Sequence, residues 1–255
     1  MIMTKVRNVF YKPKWFDGKS LDNTIDVYTR LANYLANPAG LELGLIERCK
    51  LLSKLSCSHV ENWSPDEDGE FINIQTHYNF IRNESSINKF FYGQMFTSTM
   101  RQNAANGNTD GIVMRPASDI LTHPERWMYS EFDVPKAALD YSMAWCKEMV
   151  DNNKGYDKKD IYNFFKIDGK KRIQDINDGK LICSGATWAA MYKIWEWCKK
   201  NVLLQDDKDV LWYRILAQLF KDRDITNIMS PLLLAIWEYQ IGVHFYEVKD
   251  GRLIL

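Results

Sequence analysis

The 255-residue sequence has no net charge, because its 33 lysines and arginines balance 33 aspartates and glutamates. Without a cationic excess there is no global attraction to nucleic acid or to an anionic membrane surface. The sequence also contains no apolar run of the roughly 18 residues that a membrane-spanning helix needs. We therefore expect neither a nucleic-acid partner nor a membrane span.

The amino-terminal residues have none of the features of a secretion signal. Residues 1–7 contain no apolar core, and no cleavage site follows them. We therefore expect synthesis for the cytoplasm, or for packaging into a particle that is made there, such as a virion.

Motifs for metals and cofactors are also missing. The five cysteines form no C-x-x-C pair, which argues against a zinc knuckle or a thioredoxin-like motif. There are only four histidines, and the sequence contains no H-E-x-x-H, Walker loop or G-x-G-x-x-G. We expect no metal, no cofactor and no disulfide framework, since a chain of this length without a secretion signal seldom has one.

The apolar residues that are present predict an ordered α+β domain. Hydrophobic residues make up 46% of the chain, which is enough for a sizeable core. Alternating patterns predict strands at 6–11, 55–63, 94–100, 111–115 and 128–134, and a closing hairpin at 243–254. Helical spacing predicts helices at 20–35, 41–52, 135–149, 183–200 and 210–220.

The chain contains no repeat, no low-complexity tract and no clear linker, so we expect one domain over residues 1–255. Helical insertions are expected at about 37–55 and 69–93. A helical and hairpin extension is expected at about 205–255.

Cys183 lies in the first turn of a predicted helix, where it is a candidate nucleophile. Residues 186–200 carry an apolar stripe, with Lys193 and Glu196 on the polar side. At a helix start, unpaired N–H groups and the positive end of the helix dipole lower a thiol pKa and can stabilise an oxyanion. The alternative is a buried cysteine at the start of a core helix, which is how most free cysteines occur.

His59 and Glu61 lie two residues apart in the strand predicted at 55–63. Residues two apart share a face of a strand, about 7 Å from one another, and Cys57 and Trp63 would lie on this face too. The opposite face would carry Ser58, Val60 and Asn62. One of the two polar side chains can orient the other, or both can line a cleft; the alternative is a half-exposed strand with two ordinary polar residues.

Several short motifs together resemble the papain-like NlpC-type hydrolases. Ser58-His59-Val60-Glu61 resembles their S-H-V-[EG] strand. Gly155-Tyr156-Asp157, followed by Ile182-Cys183-Ser184-Gly185, resembles their G-x-Y … D-C-S-G nucleophile region. His59 precedes Cys183 by 183 − 59 = 124 residues, the reverse of the standard order. This is the order of circularly permuted members, which include permuted papain-like amidases and a group of predicted hydrolases common in phage genomes.

Further motifs are similar to those of the phage-type group, which carries a serine-rich strand, D-G-G-V-R and an R-W step into a strand. The matching segments here are Phe96-Thr97-Ser98-Thr99, the stretch 109–115 ending in Arg115, Glu125-Arg126-Trp127 and Ser230-Pro231. Two positions depart from the pattern. Ile182 stands where the family has aspartate, and C-S-G replaces the C-S-E of many permuted members.

The resemblance implies a circularly permuted NlpC-type papain-like fold, in which an antiparallel sheet packs against the cysteine helix, with extra helices. It implies that Cys183 is the nucleophile, that His59 exchanges its proton, and that Tyr156 lies at the oxyanion site. The residue that orients the imidazole is either Glu61, preferred for its charge, or Ser98, where the family places its polar partner. The parallel course of side chains two apart counts against Glu61.

The implied function is cysteine-dependent hydrolysis of an amide or ester bond through an acyl-enzyme, as in a peptidase or amidase. The expected partner is a peptide or amide substrate, for example a cell-wall peptide. One alternative is an inactive module with the same fold that binds phage structural proteins, for which the nine tryptophans could furnish an interface. The other is an unrelated α+β domain in which His59 and Cys183 lie far apart.

Overall fold

The computed structural model describes residues 1–12, 50–51, 53–64, 93–99, 111–157, 179–202, 211–220 and 230–255. The helix predicted at 20–35 lies outside these ranges. So do most of the helix predicted at 41–52 and all but one residue of the insertion expected at 69–93.

In the described part of the chain, six strands form one antiparallel sheet in the order β4-β3-β2-β1-β5-β6. The strands are β1 (Met3–Tyr11), β2 (His59–Ser64), β3 (Gln94–Thr99), β4 (Gly111–Pro116), β5 (Trp127–Pro135) and β6 (Phe245–Glu247). The longest ladder joins β1 to β5, from Met3↔Pro135 to Tyr11↔Trp127. With its helices, this sheet makes the protein α+β.

Four α-helices with defined bounds accompany the sheet, and the described residues 50–51 and 53–55 are helical as well. The four helices are α1 (Lys136–Asp151), α2 (Cys183–Asn201), α3 (Leu211–Phe220) and α4 (Pro231–Gln240); two 3₁₀ segments, Ala117–Thr122 and Pro124–Arg126, precede β5. The start of α4 is encoded locally, because Ser230 Oγ accepts the N–H of Leu233 at 3.2 Å and Pro231 occupies the first turn. None of the helices in these ranges is both long and apolar enough to cross a bilayer.

The helices cover one face of the sheet. Alternate residues of β1 and β2, among them Val6, Phe10 and Val60, pack with Trp188 of α2 in the largest hydrophobic cluster. Burying each large apolar side chain of this kind contributes roughly 1.5–3 kcal/mol. Small residues of α2 let the helix lie close to β3 and β4, where Ala186, Ala189 and Ala190 share a cluster with Phe96 and Ile112.

The opposite face carries His59 and Glu61, two residues of the site. Paired residues in a sheet share a face, so the pairs Val9↔Glu61 and Tyr11↔His59 place His59 and Glu61 on the same side as Val9. A second hydrophobic cluster with Val9, Trp63 and Trp127 packs on this side. Both faces of the sheet are therefore buried, and the polar residues of the site lie among apolar neighbours.

The strand predicted at 55–63 is shorter at its start than the alternation suggests. β2 begins at His59, and Leu55 is helical. Cys57 consequently packs in the cluster of Val60 and Leu55, instead of on the face of His59 as predicted. The alternation of side chains applies only inside the strand, and Cys57 precedes it.

The carboxyl-terminal residues are part of the sheet. β6 pairs with β5 from Ser130↔Phe245 to Met128↔Glu247. The chain then folds back, and Ile254 N–H donates to Phe245 O at 2.7 Å. This segment therefore closes one edge of the sheet.

Candidate catalytic site

The site lies where β2 and β3 separate. Their ladder consists of three pairs, from Ser64↔Gln94 to Asn62↔Phe96, and does not continue to Val60. The carbonyl oxygen of Val60 instead accepts the hydroxyls of Thr97, at 3.0 Å, and Thr187, at 3.4 Å. The N–H of Val60 donates to the sulfur of Cys183. The first turn of α2 thus lies beside the part of β2 that is not paired with β3.

Cys183 is the first residue of α2, as the sequence predicted. Its side chain is 5% exposed and accepts the backbone N–H groups of Val60 and Ser184. Burial opposes ionisation, but attraction to His59, a hydrogen bond from its ring and the two backbone donors outweigh it. The pKa of the Cys183 thiol therefore lies below its ordinary value.

Two other described cysteines show the opposite behaviour. Cys146 and Cys198 are completely buried. Burial raises the pKa of the Cys198 thiol to about 12 and the pKa of the Cys146 thiol further still. Cys183 differs from them because it has a cationic partner, His59.

His59 is the first residue of β2 and forms a hydrogen bond with Cys183. Its Nε2 atom lies 3.0 Å from Oε1 of Glu61. Burial disfavours the charged ring, but the charges and hydrogen bonds of Cys183 and Glu61 outweigh it and raise the pKa of His59 to about 9. With its side chain 24% exposed, His59 also connects the pair to solvent. The raised pKa of His59 and the lowered pKa of Cys183 both favour the thiolate–imidazolium form of this pair over the neutral form.

Glu61 is buried, with 2% of its side chain exposed, and is held by Arg115. Arg115 Nε donates to Oε2 at 2.9 Å, and Nη2 donates to Oε1 at 2.5 Å. Burial would raise the pKa of the Glu61 carboxyl, but Arg115 and His59 lower it to about 2. Although side chains two apart on a strand start out parallel, the carboxylate of Glu61 reaches the imidazole of His59.

Arg115 was not predicted from the sequence to belong to the site. It was noted only as the last residue of the motif at 109–115. The strand register identifies Arg115 as a neighbour of the site, because the pairs Trp63↔Met95 and Met95↔Arg115 place it on the same face as Glu61. A buried carboxylate needs a cation, and a basic residue on this face of a neighbouring strand is the candidate to supply one.

Tyr156 contacts Cys183 in two ways. Its hydroxyl donates to the sulfur and accepts the backbone N–H of Cys183. Burial and the negative charge of Cys183 raise the pKa of Tyr156 well above its ordinary value, so the phenol stays protonated. The segment that carries Tyr156 is fixed to the start of α2 by bonds from Lys154 N to Gly179 O, at 2.7 Å, and from Asp157 N to Leu181 O, at 3.4 Å.

Ser98 was the second candidate for the residue that orients the imidazole. It does not orient His59 in this structure. Its hydroxyl donates to Leu181 O at 2.5 Å, just before α2. The reason is the alternation of β3, which turns Ser98 to the helix side and Thr97 to the site. The hydroxyl of Thr97 lies 3.5 Å from Nε2 of His59. The structure thus brings Cys183, His59, Glu61 and Tyr156 together and places Ser98 behind them.

The chain matches no protein-family model, and neither a curated protein nor a solved structure matches it. Among the described residues, no group of three or more histidine, cysteine, aspartate or glutamate side chains could hold a metal ion.

Proposed function

We propose that this protein is a cysteine-dependent hydrolase of amide or ester bonds, with a circularly permuted NlpC-type papain-like fold. The observation that carries the proposal is the hydrogen bond between the imidazole of His59 and the sulfur of Cys183. The two residues come from distant parts of the sequence, and the sulfur lies at the amino terminus of a helix. An antiparallel sheet packed against the cysteine helix supports the fold assignment.

The first step is attack by the Cys183 thiolate on the carbonyl carbon of the substrate. A carbon–sulfur bond forms, and the carbonyl π electrons move to oxygen. The hydroxyl of Tyr156 and the N–H of Cys183, which lie beside the sulfur, would be the donors to that oxyanion. When the intermediate collapses, the bond to the leaving group breaks, and imidazolium His59 protonates the leaving amine or alcohol.

The second step releases the acyl group. Neutral His59 removes a proton from water, and the resulting hydroxide attacks the thioester carbon. The carbon–sulfur bond breaks, the carboxylic acid leaves, and thiolate and imidazolium are restored. Glu61 keeps the imidazole oriented and stabilises its charged form in both steps, as the 3.0 Å contact allows.

A peptide or another amide is the substrate class that suits this chemistry. A peptide amine is a poor leaving group unless it is protonated, and His59, with a pKa raised to about 9, holds that proton at neutral pH. Trp127, whose ring centroid lies 6.5 Å from that of His59, supplies an apolar wall beside the imidazole.

A second candidate is an inactive module with the same fold. It is favoured by the low exposure of Cys183, 5%, and by the hydrogen bond that its N–H already makes to Tyr156. A substrate oxygen that uses this N–H has to displace the phenol oxygen. If Tyr156 does not move, the site has no free backbone donor at Cys183 and binds without catalysing.

A chromogenic acyl ester, p-nitrophenyl acetate, separates the two candidates. A hydrolase gives a burst of nitrophenol, an acetylated Cys183 in the mass spectrum, and then steady turnover. Cys183→Ala abolishes both phases, His59→Ala abolishes turnover, and the matched control Cys198→Ala retains both. Acetylation of Cys183 without turnover would support the inactive module, and absence of acetylation would contradict the proposed nucleophile.

A further inference from the structure

We infer that Arg115 is a positioning residue of the site, which holds the Glu61 carboxylate ionised and aimed at His59. The inference deepens the proposed function and rests on it, because the role matters only if the Cys183–His59 pair is reactive. It extends the chain of contacts by one step, from sulfur to imidazole to carboxylate to guanidinium.

The geometry of the contact is the first argument. The Nε–H group of Arg115 donates to Oε2 of Glu61 at 2.9 Å, and its Nη2 group donates to Oε1 at 2.5 Å. A bidentate pair of this kind fixes the plane of the carboxylate as well as its position. Because Oε1 also faces His59 Nε2 at 3.0 Å, the orientation of the imidazole depends on the plane that Arg115 fixes.

The charge balance is the second argument. Glu61 is almost fully buried, and a buried carboxylate without a cation takes up a proton instead of staying charged. A neutral Glu61 would no longer stabilise the imidazolium of His59. Arg115 is permanently charged, so it keeps the carboxylate ionised whether His59 is protonated or neutral.

The surroundings of Arg115 favour positioning over substrate binding. Its third guanidinium nitrogen, Nη1, donates to Asp119 at 3.3 Å, so each of the three nitrogens is engaged by a protein carboxylate. The guanidinium carbon also lies 5.9 Å from the ring centroid of Trp127. A guanidinium held in this way supports its neighbours and has little capacity left for an acidic substrate.

A double-mutant cycle on thiol reactivity tests the inference without a known substrate. The rate of iodoacetamide alkylation at Cys183 is followed by peptide mass spectrometry between pH 5 and 9. Arg115→Met and Glu61→Gln should each lower the rate at pH 6 by about tenfold, the effect of raising the thiol pKa by about one unit. The double variant should be no slower than Glu61→Gln alone, because Arg115 acts through Glu61.

The conservative variant Arg115→Lys guards against a simple folding defect. It keeps the charge but replaces the planar fork with a single ammonium group, so it should give a rate between those of Arg115→Met and the wild type. The matched control is Arg7→Met. Arg7 lies on the same face of the sheet, is 2% exposed, and pairs with Glu131 at 3.0 Å. Its loss should lower stability and leave the pH profile of Cys183 alkylation unchanged.

The possible results separate the positioning role of Arg115 from the proposed hydrolase activity. If wild-type Cys183 is reactive but Arg115→Met leaves its pH profile unchanged, the positioning role is overturned and the hydrolase proposal stands. Additive effects of Arg115→Met and Glu61→Gln also overturn the role. If wild-type Cys183 is no more reactive than the other cysteines, the ion pair itself fails and both proposals fall.

Discussion

The hydroxyl of Thr187 donates to the carbonyl oxygen of Val60 at 3.4 Å. Thr187 lies one helical turn after Cys183, so the bond joins α2 to the strand that begins with His59. The N–H of Val60 donates to the sulfur of Cys183. A single residue of β2 therefore contacts α2 through both of its backbone polar groups, which fixes the distance between sulfur and imidazole.

Replacing Thr187 with valine should weaken this connection without creating a cavity. The Val60 carbonyl keeps its hydrogen bond from Thr97, at 3.0 Å, so the expected loss of unfolding free energy is about 1 kcal/mol, typical of one hydrogen bond. Urea unfolding measures this loss. The companion variant Thr97→Val removes a hydroxyl that also lies 3.5 Å from His59, and it should slow Cys183 alkylation more than Thr187→Val does. Equal alkylation rates in the two variants would contradict this account.

Alkylation should be selective for Cys183. Its thiol pKa is lowered, whereas burial raises that of Cys198 to about 12 and that of Cys146 as well. At pH 7 we expect iodoacetamide to label Cys183 at least about a hundredfold faster than Cys146 or Cys198, since each pKa unit changes the thiolate fraction tenfold. Time-resolved peptide mapping measures the rates, and His59→Ala should remove most of the advantage.

Turnover of an ester or amide should fall as the pH rises through about 9. This is the value to which the pKa of His59 is raised, and above it the imidazolium that protonates the leaving group is lost. The lowered pKa of the Cys183 thiol keeps the thiolate populated below the ordinary thiol pKa, so activity should persist at pH values where an ordinary cysteine is protonated. A pH–rate profile whose alkaline limb lay near 7 would be inconsistent with this ion pair.

Glu238 should make the protein less stable as the pH rises from about 4.5 to about 7. It is completely buried in α4, where it accepts hydrogen bonds from Asn8 and, at 2.6 Å, from Ser130. Burial raises the pKa of its carboxyl from 4.5 to about 7, with the two donors offsetting part of the effect. Between these two values the native state binds a proton that the unfolded chain has released, so stability falls with rising pH.

Glu238→Gln removes that titration. The unfolding free energy of the variant minus that of the wild type should be roughly 2 kcal/mol larger at pH 9 than at pH 5. The control Glu131→Gln should leave the difference between pH 9 and pH 5 nearly unchanged, since the hydrogen bonds and charges of Lys5 and Arg7 outweigh burial and lower the pKa of Glu131 below its ordinary value of 4.5. Denaturant unfolding at several pH values measures both, and parallel curves for wild type and Glu238→Gln would disprove the assignment.

Gly111 should tolerate no side chain. Its φ is +120°, and an added Cβ would lie 2.1 Å from Asn153 Oδ1 and 2.7 Å from the Cα of Gly155. Asn153 Oδ1 accepts the N–H groups of Ile112 and Gly155, and so joins β4 to the segment that carries Tyr156. Gly111→Ala should therefore cost about 2–5 kcal/mol of stability from backbone strain and overpacking, and should displace Tyr156.

Gly242→Ala is the matched control for Gly111→Ala. Gly242 also has a positive φ, +86°, but nothing lies within 4 Å of an added Cβ. The expected cost is about 1–2 kcal/mol, from the backbone conformation alone. Thermal unfolding compares the two variants, and equal losses would show that the contact between Gly111 and Gly155 is unimportant.

Local patterns predicted much of the secondary structure. The strands expected at 6–11, 94–100, 111–115 and 128–134 are confirmed as β1, β3, β4 and β5. The helices expected at 135–149 and 183–200 are confirmed as α1 and α2, except that Pro135 ends β5 and precedes α1 instead of lying in its first turn. Periodicity, a proline at the start of a helix and a glycine break are properties of neighbouring residues, which is why a linear reading captures them.

The arrangement of the site depends on contacts that no local pattern contains. Alternation indicates that Thr97 and Ser98 face opposite sides of β3 but cannot say which side meets His59. The pairing of Glu61 with Arg115 requires the order of the strands and their register, which are set by packing of the whole sheet. The candidate nucleophile could therefore be read from the sequence, whereas the charge network around it arises only when distant segments are packed together.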